Sequence, residues 1–222
     1  LNAFGAVPKT GAPPLAELLE DSDERQHVEA IFFSSNRCDY HPDPKQKPWS
    51  ASSFRVVKVE RVQNAGHLRA LSERTQAIKA ALAEHGIGFA AGVHTRWLFH
   101  GAPHAAIASV ISEPVSGFQA IMGARDLWGK GIYLARDAAY PFYGTGTARF
   151  CHEEGGVYKI LLCLVVTGLS CAGDADMKLK PFFRKPMRYH SSVDSMAHPQ
   201  IFIVNEGVAV CPAYVISFTK RG

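Results

Sequence analysis

Two short stretches of the sequence combine residue types that can bind and orient a small polar molecule. Arg96-Trp97-Leu98-Phe99-His100-Gly101 ends an apolar run on an imidazole followed by a residue with no side chain. Further on, Trp128-Gly129-Lys130-Gly131-Ile132-Tyr133-Leu134-Ala135 carries a phenol ring, and Tyr140 and Tyr143 follow within Arg136-Asp137-Ala138-Ala139-Tyr140-Pro141-Phe142-Tyr143. An imidazole can hydrogen-bond hydroxyls, an aromatic face stacks on a flat ring, and glycine lets a ligand approach the main chain. Singly, each of these residues is more often structural; their joint spacing is the signal. Other chemistries lack their motifs. There is no GxGxxG, and Gly144-Thr145-Gly146 is too short for a dinucleotide loop. No Walker loop, HExxH or GxSxG is present. His152-Glu153-Glu154 has no second ligand at helical spacing, so no metal site is expected.

These segments resemble the catalytic domains of the poly(ADP-ribose) polymerase superfamily, the diphtheria-toxin-like ADP-ribosyltransferases. That superfamily is marked by a strand ending in His-Gly, a Gly-Lys-Gly strand with a Tyr, and a third strand near the C-terminus. Val59-Glu60-Arg61-Val62-Gln63-Asn64 followed by Leu68 looks like the strand-to-helix entry of the mono-ADP-ribosylating branch. His198-Pro199-Gln200-Ile201-Phe202-Ile203-Val204 and Cys211-Pro212-Ala213-Tyr214-Val215-Ile216 look like its last two strands. The resemblance covers residues 54–219 in order. It implies NAD as co-substrate, with nicotinamide released and no metal. In that setting His100 holds ribose hydroxyls and the Gly101 main chain pairs with the nicotinamide carboxamide. Tyr133 stacks on the nicotinamide ring, and a second aromatic closes the sandwich. Tyr143 is the candidate for that ring, with Tyr140 as the alternative. Where the family often has Ser, this chain has Pro141, which offers no hydroxyl to the carboxamide.

Polymerising members carry Glu in the third strand, and here that position falls on Ile201. An aliphatic chain can neither accept a proton nor bind a hydroxyl. Glu206 lies five residues on, about 16 Å along an extended strand and facing the other way. Gln200 also points to the opposite face by alternation. The resulting His100-Tyr133-Ile201 triad implies transfer of one ADP-ribose unit to a protein or other acceptor, which includes the chain itself.

The elements needed to position these residues can be read from periodicity. Asp21-Ser22-Asp23-Glu24 suits a helix start, with Val28, Ile31 and Phe32 on one face. Phe54–Val62 reads as a strand. Asn64 caps a helix with Leu68, Leu71, Thr75, Ile78 and Leu82 on one side, ended by Gly86. Arg96–Phe99 is a short strand, and Pro103 opens a helix with Ile107, Val110 and Ile111. Further strands are expected at Ile132–Ala135, Val157–Val166, Ile201–Val204 and Ala213–Phe218. Helices come first and strands later, an α+β order. With the resemblance, the expected architecture is an ADP-ribosyltransferase fold, two packed, mostly antiparallel sheets forming a split β-core with flanking helices. Residues 1–50 are expected to form an N-terminal extension with a short helix, packed on or leading into the catalytic domain, including an extended lead-in over 1–20 and a loop over 36–50 with Pro42, Pro44 and Pro48. Residues 51–222 form the catalytic domain.

The chain has 222 residues and a formal net charge of +4, without a dense basic run. Nucleic-acid binding is therefore only weakly indicated. Lys178, Lys180, Arg184, Lys185 and Arg188 around Phe182 and Phe183 form the one cluster that could serve it. Cys38, Cys151, Cys163, Cys171 and Cys211 are odd in number and lack CxxC spacing, which fits a reducing, intracellular setting, cytoplasmic or nuclear. No apolar run reaches membrane-spanning length, and a monomer is expected. The alternative to an enzyme is a catalytically silent NAD- or ADP-ribose-binding module, or an RNA-associated one, on the same fold.

Overall fold

The computed structural model describes residues 14–34, 49–118, 127–144 and 150–222. The lead-in up to residue 13, the loop with Cys38, Pro42, Pro44 and Pro48, and Thr145-Gly146 lie outside them.

Local chemistry explains most of the elements. Strand β1 (Leu15–Glu17) precedes helix α1 (Asp23–Phe33), whose start is fixed by Ser22 accepting the Arg25 N–H. Strand β2 (Phe54–Val62) leads into α2 (Ala65–Glu84). Asn64 caps α2 by accepting from the Gly66 and His67 N–H groups, and it also donates to the Glu113 carbonyl at 2.6 Å. The cap thus ties α2 to the end of α3 (His104–Ser112), which follows β3 (Thr95–His100). Then come β4 (Ile132–Ala135), the single-turn α4 (Ala139–Tyr143), β5 (Glu153–Glu154) and the long β6 (Val157–Val166). The chain continues through β7 (Ser170–Ala172), β8 (Phe182–Arg184), β9 (Met187–Arg188) and β10 (Ser191–Val193). It ends with β11 (Ile201–Val204), a 3-10 turn (Gly207–Ala209) and β12 (Val210–Lys220).

The strands at Phe54–Val62, Ile132–Ala135 and Val157–Val166 fall where periodicity put them. The last strand runs longer than Ala213–Phe218. The lead-in holds a strand, and α4 and β7 to β10 carry no periodic signal of their own.

Hydrogen bonding follows one path, β1-β2-β12-β6-β3-β4-β11-β10-β7, with β5 added beside β6. All pairs are antiparallel except β10 with β7. The split in this core is local. Strand β3 runs in register with β6 from Thr95 to His100, but meets β4 at one registered pair, Phe99 with Ala135. The strands part just beyond that pair, where His100 and Gly101 emerge. A separate two-stranded sheet pairs β8 with β9.

One large cluster packs α2 and α3 against the sheet through Leu71, Ile78, Leu98, Ile107, Leu161 and Phe202. A second, aromatic cluster lies on the other side. Phe32 of α1 meets Trp49, Phe99 and Phe218 there, with ring centroids 4.9, 6.4 and 5.1 Å apart. Cys151, Cys163, Cys171 and Cys211 are buried free thiols. No helix among the described residues is long and apolar enough to cross a membrane.

Candidate active site

The parting of β3 from β4 brings His100 to Tyr133. The imidazole Nδ1 lies 3.0 Å from the Tyr133 carbonyl oxygen. Because that partner can only accept, Nδ1 carries the proton and Nε2 keeps its lone pair. Burial lowers the pKa of His100 from its ordinary value, and the Tyr133 carbonyl opposes that only in part. The ring is therefore neutral near pH 7, with Nε2 as a hydrogen-bond acceptor suited to a ligand hydroxyl. Phe118 holds the imidazole edge-on, with centroids 4.9 Å apart.

Tyr133 is fixed at both ends. Its hydroxyl donates to the Gly129 carbonyl at 2.8 Å and accepts the Trp128 N–H at 3.1 Å. Gly131 makes this turn possible. Its φ is +150°, and a Cβ there would sit 2.5 Å from the Val204 carbonyl oxygen. Beta pairing then sets Tyr133 opposite Ile203 and Ala135 opposite Ile201. Alternation puts all four side chains on one face.

Ile201 is 1% exposed and packs in a small cluster with Ala135, Tyr140 and Ile203, against which Tyr133 and Trp128 lie. Its position is set by Asp194, whose Oδ1 accepts the main-chain N–H groups of Gln200 and Ile201, each at 2.9 Å. Glu206 is drawn away from the cluster by Arg74 of α2, at 2.9 Å. Gln200 is buried, and its carbonyl accepts the Arg136 N–H at 2.7 Å.

The two tyrosines after β4 part company. Tyr140 joins Tyr133 and Ile201, and its ring stacks on Phe150 at 6.1 Å with 19° between planes. Tyr143 packs instead against Trp49 and Phe142 in the aromatic cluster. Gly101 lies against Pro141, Cys151 and Phe150. A Cβ there would come within 2.8 Å of the Pro141 Cβ and 3.0 Å of the Cys151 Sγ and the Phe150 Cβ. Pro141 in turn accepts main-chain N–H groups from Phe150 and Cys151, both at 3.1 Å.

Sequence reasoning missed Asp194, Phe118 and Phe150. None belongs to a periodic element, and the role of Asp194 depends on β10 and β11 being neighbours. The triplet His152-Glu153-Glu154 is divided among structural partners: Glu153 accepts from the Tyr158 hydroxyl, and Glu154 lies 3.2 Å from His104.

An imidazole bonded to the Tyr133 main-chain carbonyl where two strands part, with Ile201 on the neighbouring strand, forms the candidate site in an α+β core. The Poly(ADP-ribose) polymerase catalytic domain model matches residues 40–217, and the chain belongs to that family. It is 31% identical over 201 residues to Protein mono-ADP-ribosyltransferase PARP12 of Homo sapiens, covering 85% of this chain and 25% of that protein. To Protein mono-ADP-ribosyltransferase PARP11 of Homo sapiens it is 22% identical over 246 residues, 98% of this chain and 67% of that protein. To Protein mono-ADP-ribosyltransferase PARP14 of Homo sapiens it is 24% identical over 177 residues, 77% of this chain and 9% of that protein. The chain thus spans a quarter of the length of the PARP12 proteins it matches.

Proposed function

We propose that this chain transfers a single ADP-ribose unit from NAD to a protein acceptor, with nicotinamide as the leaving group. The observation that carries this reading is the 3.0 Å contact of His100 Nδ1 with the Tyr133 carbonyl, made while Ile201 fills the facing strand position. The donor set suits the dinucleotide. On this reading His100 Nε2 accepts from a ribose hydroxyl, the Gly101 main chain pairs with the nicotinamide carboxamide, and Tyr133 and Tyr140 supply aromatic faces. Tyr140 takes the second-ring role because it shares the cluster of Ile201, whereas Tyr143 belongs to another.

An acceptor nucleophile bonds to the ribose C1′ as the bond to nicotinamide breaks, and nicotinamide leaves with that electron pair. Positioning can supply much of this barrier. No carboxylate stands at Ile201 to take the acceptor's proton. An acceptor that is already anionic, such as an Asp or Glu side chain, needs none taken. Elongation requires deprotonating a ribose hydroxyl, and Ile201 cannot assist there.

Incubation of the chain with labelled NAD and an acidic acceptor protein, followed by intact-mass measurement, tests the reading. Single additions with released nicotinamide support it. A mass ladder would refute the single-unit claim. Unmodified protein that still binds ADP-ribose would leave the silent module. One observation favours that second reading: the space beside Gly101 is crowded by Pro141, Cys151 and Phe150. The RNA-associated reading has less support, because the rings of the basic cluster are covered by its own cations. Arg188 lies 3.8 Å over Phe182 and Arg184 lies 5.2 Å over Phe183.

A further inference from the structure

A concave site lies on the side of β11 away from Tyr133 and Ile201. Alternation along that strand sends Ile203 to the cluster of Tyr133 and Tyr140, and Val204 to the main core with Ile78 and Val166. Those three residues and Met187 floor a cavity of about 280 Å³ between α2 and the segment from Leu179 to His190.

Its polar lining is cationic. Arg74, Lys180 and Arg188 bring three cationic side chains, and Glu206 is the one carboxylate among the lining residues. Glu206 engages a single guanidinium nitrogen, Arg74 Nη2, at 2.9 Å. The Arg74 Nε is buried with no hydrogen-bond partner among the described residues. Lys180 is 4% exposed, has no carboxylate partner among the described residues, and reaches only the Lys130 carbonyl, at 3.5 Å. Burial of that ammonium lowers its pKa to about 8. His190 adds a donor. Its Nδ1 accepts the Leu169 N–H at 3.1 Å, so the proton sits on Nε2. Burial, Arg74 and His94 push its pKa down to about 4, keeping it neutral.

A lysine buried for packing alone would end on a carboxylate or on several carbonyls, because an unpaired buried charge is costly. Lys180 has one carbonyl at the limit of bonding distance, beside a guanidinium with an unused donor. We propose that this cavity binds the phosphate group of a small phosphomonoester or pyrophosphate, at a site separate from the cleft of His100 and Tyr133. A phosphate dianion offers several acceptor oxygens to the Arg, Lys and His N–H donors of the residues that line the cavity, where Arg188 spends one donor, Nη1, on the Lys180 carbonyl at 2.7 Å. The volume falls just below the ~300–1,000 Å³ of ordinary small-molecule pockets, which leaves room for little beyond a phosphate and a sugar-sized group. The rings of Phe182 and Phe183 are covered by Arg188 and Arg184, which disfavours base stacking and hence a nucleic acid.

Titration calorimetry of the full chain with inorganic pyrophosphate and with ribose 5-phosphate tests the proposal. One-to-one binding of either is expected. Lys180→Met and Arg188→Gln should each weaken it about tenfold or more, with NAD binding unchanged. Lys180→Met removes the buried charge at similar length, and Arg188→Gln provides a second variant should it misfold. No binding of either probe, or binding that both variants retain, overturns the site. So does displacement of pyrophosphate by NAD together with loss of pyrophosphate binding in His100→Ala, which would place it in the first cleft. Displacement by a short oligouridine with a steep salt dependence would assign the patch to nucleic acid instead.

Discussion

Ile201 stands directly opposite Ala135 on neighbouring strands, and Tyr140 closes over the pair. Ile201 is thereby enclosed in an apolar cluster and is 1% exposed. Ile201→Glu places an acid where burial raises its pKa. The variant should lose about 2–4 kcal/mol at pH 7. The sign follows from linkage: a raised folded-state pKa favours the neutral form, so the deficit shrinks as pH falls toward 5. Urea midpoints of both proteins at the two pH values check this. An equal deficit at both would mean the side chain reaches water.

His100 acts, on the reading above, as a neutral acceptor. Its folded pKa is lowered by burial, so the neutral form persists below the ordinary His range. Binding of NAD should therefore stay flat from pH 8 to about 6.5 and fall only in more acid solution. Fluorescence titration across that range reads it. A decline already beginning above pH 7 would contradict a neutral, proton-accepting Nε2. His100→Ala should weaken NAD binding about tenfold or more.

Tyr140 and Tyr143 separate cleanly by assay. Tyr140→Ala should cut NAD binding about tenfold or more, because it strips an aromatic face beside Tyr133. Tyr143→Ala should leave binding nearly intact and instead cost about 1–3 kcal/mol through lost contacts to Trp49 and Phe142. Calorimetric titration and chemical denaturation, run on both variants, decide the assignment. The reverse pattern would return the role to Tyr143.

Glu24 of α1 accepts from Arg61 of β2 and from the Tyr214 hydroxyl of β12, the latter at 2.7 Å. Burial works to raise its pKa, yet the Arg61 and Tyr214 hydrogen bonds prevail and hold it below the usual value. A depressed carboxylate stabilises the fold above its unfolded pKa, and that contribution is lost as pH falls through the folded one. Glu24→Gln should cost about 1–3 kcal/mol at pH 7 and progressively less below pH 4. Thermal unfolding at both conditions measures the difference, and a pH-independent loss would count against the ion pair.

Long elements with a clear period were legible in the sequence, among them β2, α2 and β6. The His100-Tyr133 pairing was legible only through the spacing of two motifs, since the contact runs through a main-chain carbonyl. The strands of two or three residues were not, because they depend on partners distant in the chain. Helix α4 was hidden by Pro141, which reads as a breaker. Its place in the first turn, where a main-chain N–H has no helical partner, removes the penalty. The same helix sends the Tyr140 and Tyr143 rings to different clusters.

Strand β1 bonds along the outer edge of β2, from Leu15 with Val62 to Glu17 with Glu60. A version of the chain begun at residue 51 would lose that cover together with the Phe32 ring of α1. The bared row of N–H and C=O groups, with Val57 already open to water beside it, would invite another copy to add its own strand. Shortened recombinant forms should therefore keep residues 14–34 if they are to avoid edge-to-edge self-association.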